Sequence, residues 1–143
     1  MLRVFIVLLG ISSFYCDAEL VVSDATVRLL PPGVPNTAAY FSIENLSKKT
    51  EVLIAASSNI ADKAELHNHV FINDMMRMQQ QESIQIEPGE TVHFKPGGLH
   101  IMLFGLNQKL EENQKVSLRL LTQDGEAIDF EATVARPSHA KHH

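Results

Sequence analysis

Cysteine is nearly absent from this chain. Of 143 residues only Cys16 is a cysteine, and there is no tryptophan. If the first eighteen residues are removed, no thiol remains. An internal disulfide is then impossible, thiol catalysis is excluded, and so is the thiolate-based blue-copper set. Long hydrophobic runs are missing too. The most apolar stretch, residues 4–11 (VFIVLLGI), is far shorter than the ~20 residues a membrane-spanning helix needs. Positive charge is scarce: 12 Lys and Arg face 17 Asp and Glu, for a net charge of −5. The basic residues are scattered rather than striped, which argues against nucleic acid as a partner. No internal repeat and no interdomain linker interrupt the chain, and its length fits one ordinary domain.

The N-terminus has the layout of a secretory signal: Arg3, then the short apolar run, then small or mixed residues. Cys16 and Ala18 are small and two apart, so cleavage is expected after Ala18. A lipoprotein with Cys16 as the lipidated residue is the alternative. Phe14 and Tyr15 are bulky for the positions before such a cysteine, which places it second, and an uncleaved anchor comes third. The expected division is a signal peptide over residues 1–18, a folded domain over 19–136, and a polar tail over 137–143. The tail carries His139, His142 and His143.

The rest reads as short strands between turn signals. Apolar or β-branched stretches cover residues 20–30, 37–44, 50–56, 63–71, 75–80, 83–86, 91–94, 99–104, 115–121 and 127–134. Pro31-Pro32-Gly33, Asn73-Asp74, Pro88-Gly89, Pro96-Gly97-Gly98 and Asp124-Gly125 punctuate them. Val116, Leu118 and Leu120 alternate with Ser117, Arg119 and Leu121 along one strand. Many short strands at this spacing predict an all-β sandwich. No long amphipathic helix is evident, although residues 105–112 could form one turn.

What the chain has in unusual measure is histidine and methionine. There are seven His and five Met, and three of the four Met beyond the first residue fall at 75, 76 and 78. Side chains two apart on a strand share a face. His100 and Met102 therefore project together, with Leu99, Ile101 and Leu103 turned to the core. His67 and His69 share a face with Glu65. Met76 and Met78 share one on the next stretch, Met75 taking the other. A hairpin between these two stretches would bring a histidine near a methionine. Thioethers are soft, neutral ligands that favour Cu(I), and imidazole accepts several metals. Zinc would more often draw on cysteine or carboxylate. For any single methionine, packing is the commoner role. A lone surface histidine is usually just solvated, as His93 is expected to be.

His67, ten residues, Met78, twenty-one residues, His100, one residue, Met102: this pattern resembles the periplasmic PCuAC copper chaperones. The run Lys95-Pro96-Gly97-Gly98-Leu99-His100-Ile101-Met102-Leu103 is similar to that family's most recognisable segment, and Glu65-Leu66-His67 to its first ligand segment. The similarity extends over roughly residues 21–134. It implies a cupredoxin-like β-sandwich holding one Cu(I) at an exposed end through His67, Met78, His100 and Met102. It further implies a monomeric periplasmic chaperone, not an enzyme, that supplies copper to the CuA subunit of cytochrome c oxidase and to other copper-handling periplasmic proteins. Asn68 departs from the pattern, since many relatives have Met there. Some relatives carry a C-terminal extension that takes a second copper as Cu(II). Here the tail has three histidines and no Met, so a weaker Cu(II) site and a merely solvated tail are both open.

Rival readings remain. Copper storage or buffering would use the same ligands. A cupin-like metal enzyme would use His67, His69 and His100, with Asp74 recruited as carboxylate, and leaves Met78 and Met102 unexplained. A plain adhesive sandwich would bind no metal. No nucleophile stands beside a base and no carboxylates pair within a segment, so the residues do not indicate catalysis.

Overall fold

The computed structural model describes residues 19–137. The signal segment and the tail histidines lie outside the described residues. Ten strands follow one another: β1 (Leu20–Arg28), β2 (Thr37–Asn45), β3 (Glu51–Ser58), β4 (Ala61–Ile72), β5 (Met75–Gln80), β6 (Ile84–Ile86), β7 (Thr91–Phe94), β8 (His100–Leu106), β9 (Lys115–Thr122) and β10 (Ala127–Ala135). Each corresponds to one of the stretches read from the sequence, within a few residues at its ends. No helix forms among the described residues. The turn expected over residues 105–112 is replaced by the end of β8 and a loop. Gly105 takes a left-handed φ of +66°. The Leu106 and Asn107 amides then bond outward, to the carbonyls of Pro35 (2.8 Å) and Ile60 (3.0 Å), instead of within a helical turn.

Hydrogen bonding runs in the order β5-β4-β8-β2-β1-β10-β9-β3-β6, with β7 on β2 and an additional pairing of β3 with β4. That extra pairing, at Ala56 and Ala64, closes seven strands into a flattened barrel and leaves β5, β6 and β7 as appendages. The fold is a cupredoxin-like β-sandwich. β1 and β10 pair parallel while the other pairings are antiparallel. Alternation fills the interior: Val116, Leu118 and Leu120 of β9 point inward against Leu53, Ile101, Leu103 and Val134. Burying a side chain of this size stabilises by about 1.5–3 kcal/mol. Phe41 stacks on Phe94 at 4.2 Å and meets Phe130 at 5.1 Å.

One buried polar residue fixes a corner. Asn45 is fully enclosed. Its amide donates to the carbonyls of Lys49 (2.8 Å) and Ile86 (2.9 Å), and its oxygen accepts from the amide and hydroxyl of Ser47. Every polar atom is therefore paired, and the β2–β3 turn is tied to β6.

Candidate metal centre

The hairpin of β4 and β5 is set by its turn. Asn73 and Asp74 both take positive φ, 52° and 60°. That is the two-residue hairpin geometry whose twist matches the flanking strands. It pairs Ile72 with Met75 and so fixes everything below: Phe71 with Met76, His69 with Met78, His67 with Gln80. On its other side β4 pairs with β8, placing His67 opposite His100 and Glu65 opposite Met102. Met102 in turn faces Ala38 of β2. Directly opposed side chains lie on the same face. Glu65, His67, His69, Met78, His100 and Met102 therefore share the outer face of the sheet, while Leu66 and Ile101, also opposed, point into the core.

The structure brings His67, His100 and Met102 close and sets Met78 at their edge. The His67 and His100 rings lie 5.8 Å apart, and those of His69 and His100 5.1 Å apart. Phe104 stands 5.9 Å from His67 and Tyr40 6.5 Å from His100. Although they sit on an outer face, His67 and His100 are buried, and Met102 and His69 are partly so. Met78 is 48% exposed and belongs to an apolar rim with Met75, Met76, Phe71 and Ile72 at the hairpin tip. Its register partner is His69, not His67. Asp74, the carboxylate of the cupin-like reading, occupies the hairpin turn beyond the Ile72–Met75 pair, six positions along the chain from Gln80, the partner of His67, and takes no part. His93 lies apart, exposed and bonded to Ser42 Oγ at 2.8 Å.

The hydrogen bonds determine which ring nitrogens are free. The His100 Nδ1 group is 2.9 Å from the Gly98 carbonyl, which only accepts, so Nδ1 carries the proton and Nε2 keeps its lone pair. The Pro96-Gly97-Gly98 turn supplies that carbonyl. Gly97 at φ +83° folds the chain so that the Gly98 amide donates back to Lys95 at 3.0 Å. His67 Nε2 donates to Glu65 Oε2 at 2.7 Å, and Lys63 holds the other Glu65 oxygen at 3.0 Å. His67 Nδ1 is thereby left with a lone pair, buried and without a partner. His69 Nδ1 is also buried without one. An orphaned buried acceptor costs on the order of 1–3 kcal/mol, and a metal ion would satisfy it. Burial pushes the His100 pKa below its ordinary value despite the opposing Gly98 bond, with His69 and His67 adding to the downward shift. The Glu65 carboxyl is held below the usual range by its bonds to His67 and Lys63.

The facet is open rather than preassembled. Among the described residues, the one group of three His, Asp or Glu donors within 4.8 Å of one another is Glu19, Glu51 and Glu126. Lys49 lies 3.5 Å from Glu51 there. The imidazole nitrogens are spread more widely, and an ion must draw the rings inward by side-chain rotation.

Comparison with known proteins matches residues 20–134 to the LpqE-like lipoprotein family. The chain belongs to that family. A relative from Leifsonia xyli subsp. xyli (strain CTCB07), named as a lipoprotein, Lxx21020, is 39% identical over 105 residues. The match covers 73% of this chain and 62% of that protein, so the chain spans about three-fifths of that relative's length. Among solved structures, the copper-bound PCuAC domain from PmoF2 superposes with a TM-score of 0.70 at 18% identity, over 86% of this chain and 97% of that one. The solution structure of CuI-DR1885 from Deinococcus radiodurans gives 0.62 at 29% identity, over 82% and 78%. The LpqE-like chain thus has the PCuAC fold, as its sequence resemblance implies. Its family places it among exported, cell-envelope proteins.

Sequence reasoning on its own did not assign roles to Glu65 or the Gly98 carbonyl. Glu65 was recognisable by its spacing, two residues before a candidate ligand on the same face. The Gly98 carbonyl has no side-chain signature.

Proposed function

We propose that this domain is an exported copper chaperone that binds one Cu(I) through His67, Met78, His100 and Met102. The observation that carries the reading is the pair of buried imidazoles facing each other across β4 and β8. Each has one nitrogen tied down and the other free, with Met102 beside them. Two neutral imidazoles and two thioethers form an uncharged, soft site suited to a monovalent ion. The copper-bound state of the PmoF2 domain and of DR1885 supports it. The role is binding and release, not catalysis.

Release follows from the same layout. Met78 stands at the exposed edge, so an acceptor's ligand enters from that side while His67 and His100 still hold the ion. The apolar rim of Phe71, Ile72, Met75 and Met76 gives the acceptor a surface to approach. The acceptor that the resemblance implies is the CuA subunit of cytochrome c oxidase, in the periplasm. The test has two steps. A Cu(I) titration against a chromogenic chelator should give one equivalent per chain. Mixing two equivalents of the loaded protein with an apo CuA domain, and then removing one electron per domain with a chemical oxidant such as ferricyanide, should develop the absorption of the mixed-valence CuA centre. Tight binding without transfer would mark the protein as a copper store, and no tight Cu(I) binding would refute the reading.

A further inference from the structure

His69 is left unused by the four-ligand set, yet it is built into the site. It lies on the same face as His67, it is the register partner of Met78, and its ring is 5.1 Å from that of His100. That is closer than the ring of His67. Its Nδ1 is buried and has no hydrogen-bond partner. Packing alone does not account for a polar nitrogen kept dry and unpaired beside two candidate ligands, since such an atom costs stability.

We propose that His69 is a third imidazole ligand that lets this site also hold Cu(II). The inference rests on the Cu(I) reading above and extends it. Cu(II) favours nitrogen and oxygen donors over thioethers. His67, His69 and His100 offer it three imidazoles on one facet, with the Glu65 carboxylate beside them, while Met78 and Met102 move to the periphery. Cu(I) uses the thioethers instead. The two donor sets share His67 and His100, so either oxidation state is held in one place with only His69 and the methionines exchanging. The rings are more than close packing apart before metal arrives, and rotation of the His69 side chain about its own bonds is what completes the set. An exported protein meets copper under oxidising conditions, where such a site captures the ion that a Met-rich site would let pass.

The experiment uses the full chain with His139, His142 and His143 changed to Ala, which removes tail imidazoles from the count. One equivalent of Cu(II) is added to this parent and to its His69→Gln variant. The coordinated imidazole nitrogens are then counted by pulsed electron paramagnetic resonance. We expect three in the parent and two in the variant. Cu(II) affinity should fall at least about tenfold, and Cu(I) affinity should change by less than about threefold. His69→Asn is the second variant, with the same expectation, and thermal unfolding shows that both are folded. Equal nitrogen counts in parent and variants would overturn the proposal. So would a parent that binds Cu(I) but no Cu(II), or a Cu(I) affinity that falls as far as the Cu(II) affinity does. Failure of the parent to bind Cu(I) would refute the underlying function instead.

Discussion

His67 on β4 and His100 on β8 stand directly opposite each other, with their rings 5.8 Å apart. The two are oriented by different means. Glu65 holds His67 by Nε2, and the Gly98 carbonyl holds His100 by Nδ1. Opposite nitrogens are thus left free on the two rings. A metal between them would be met by Nδ1 of one and Nε2 of the other.

Glu65 is expected to matter although it is not in the ligand set. Removing a carboxylate that orients a ligating histidine typically costs about 10–100-fold in metal affinity. Glu65→Gln should fall in that range for Cu(I), measured by chelator competition, with thermal stability of the metal-free protein little changed. Unaltered affinity would show that His67 needs no such support.

Acid should weaken the metal-free fold through His100. Burial places its folded pKa below the unfolded value of about 6.5. Between those two values the unfolded chain binds more protons, so stability rises with pH there. It is therefore complete above about pH 6.5, declines as the pH drops through that window, and levels off below the folded pKa. The melting temperature of the metal-free protein should fall between pH 7.5 and 5.5, and less so in His100→Gln. An equal fall in both would assign the effect to other groups.

Gly105 should not tolerate a side chain. Its φ is +66°, and a Cβ there would lie 2.5 Å from Asp62 Oδ2 and 3.1 Å from Asp62 Cβ. The left-handed backbone alone costs a non-glycine residue roughly 1–2 kcal/mol. Gly105→Ala should therefore lower stability by at least that amount in a urea titration. Adding Asp62→Ala relieves the contact but not the backbone, so recovery should be partial. Full recovery would mean that φ is not the constraint.

The tail histidines should not contribute to the Cu(I) site. Deleting residues 137–143 should leave the Cu(I) site intact and remove any second, weaker Cu(II) site made by His139, His142 and His143. Short polar segments lose conformational entropy when they are ordered around an ion, which is why that second site should be weak. Copper titrations of full-length and truncated protein under reducing and oxidising conditions check this. Loss of Cu(I) binding on truncation would make the tail a primary ligand donor.

The strands were legible because alternation and turn residues agree along the chain. Met75–Gln80 and Thr91–Phe94 match the expected windows end to end. The sharing of faces within Glu65, His67 and His69, and within His100 and Met102, follows from the two-residue period alone. Register does not. Whether Met78 faces His67 or His69 depends on the two-residue turn at Asn73-Asp74, and a turn longer by one would change the pairing. The closure of β3 on β4 was hidden as well, since it rests on a single residue pair, Ala56 with Ala64, across the short β3–β4 connection. Residues 105–112 form the end of β8 and a loop, not the single turn that the sequence allowed. A positive φ at Gly105 cannot be read from composition.

The claim that His67, Met78, His100 and Met102 hold one Cu(I) is tested most directly by a competition titration of the chain beside Met78→Ala and Met102→Ala. The expected result is one Cu(I) per chain, bound at least about tenfold more weakly by each variant. Cu(I) bound as tightly by both variants as by the parent, or not bound tightly by the parent at all, would contradict it.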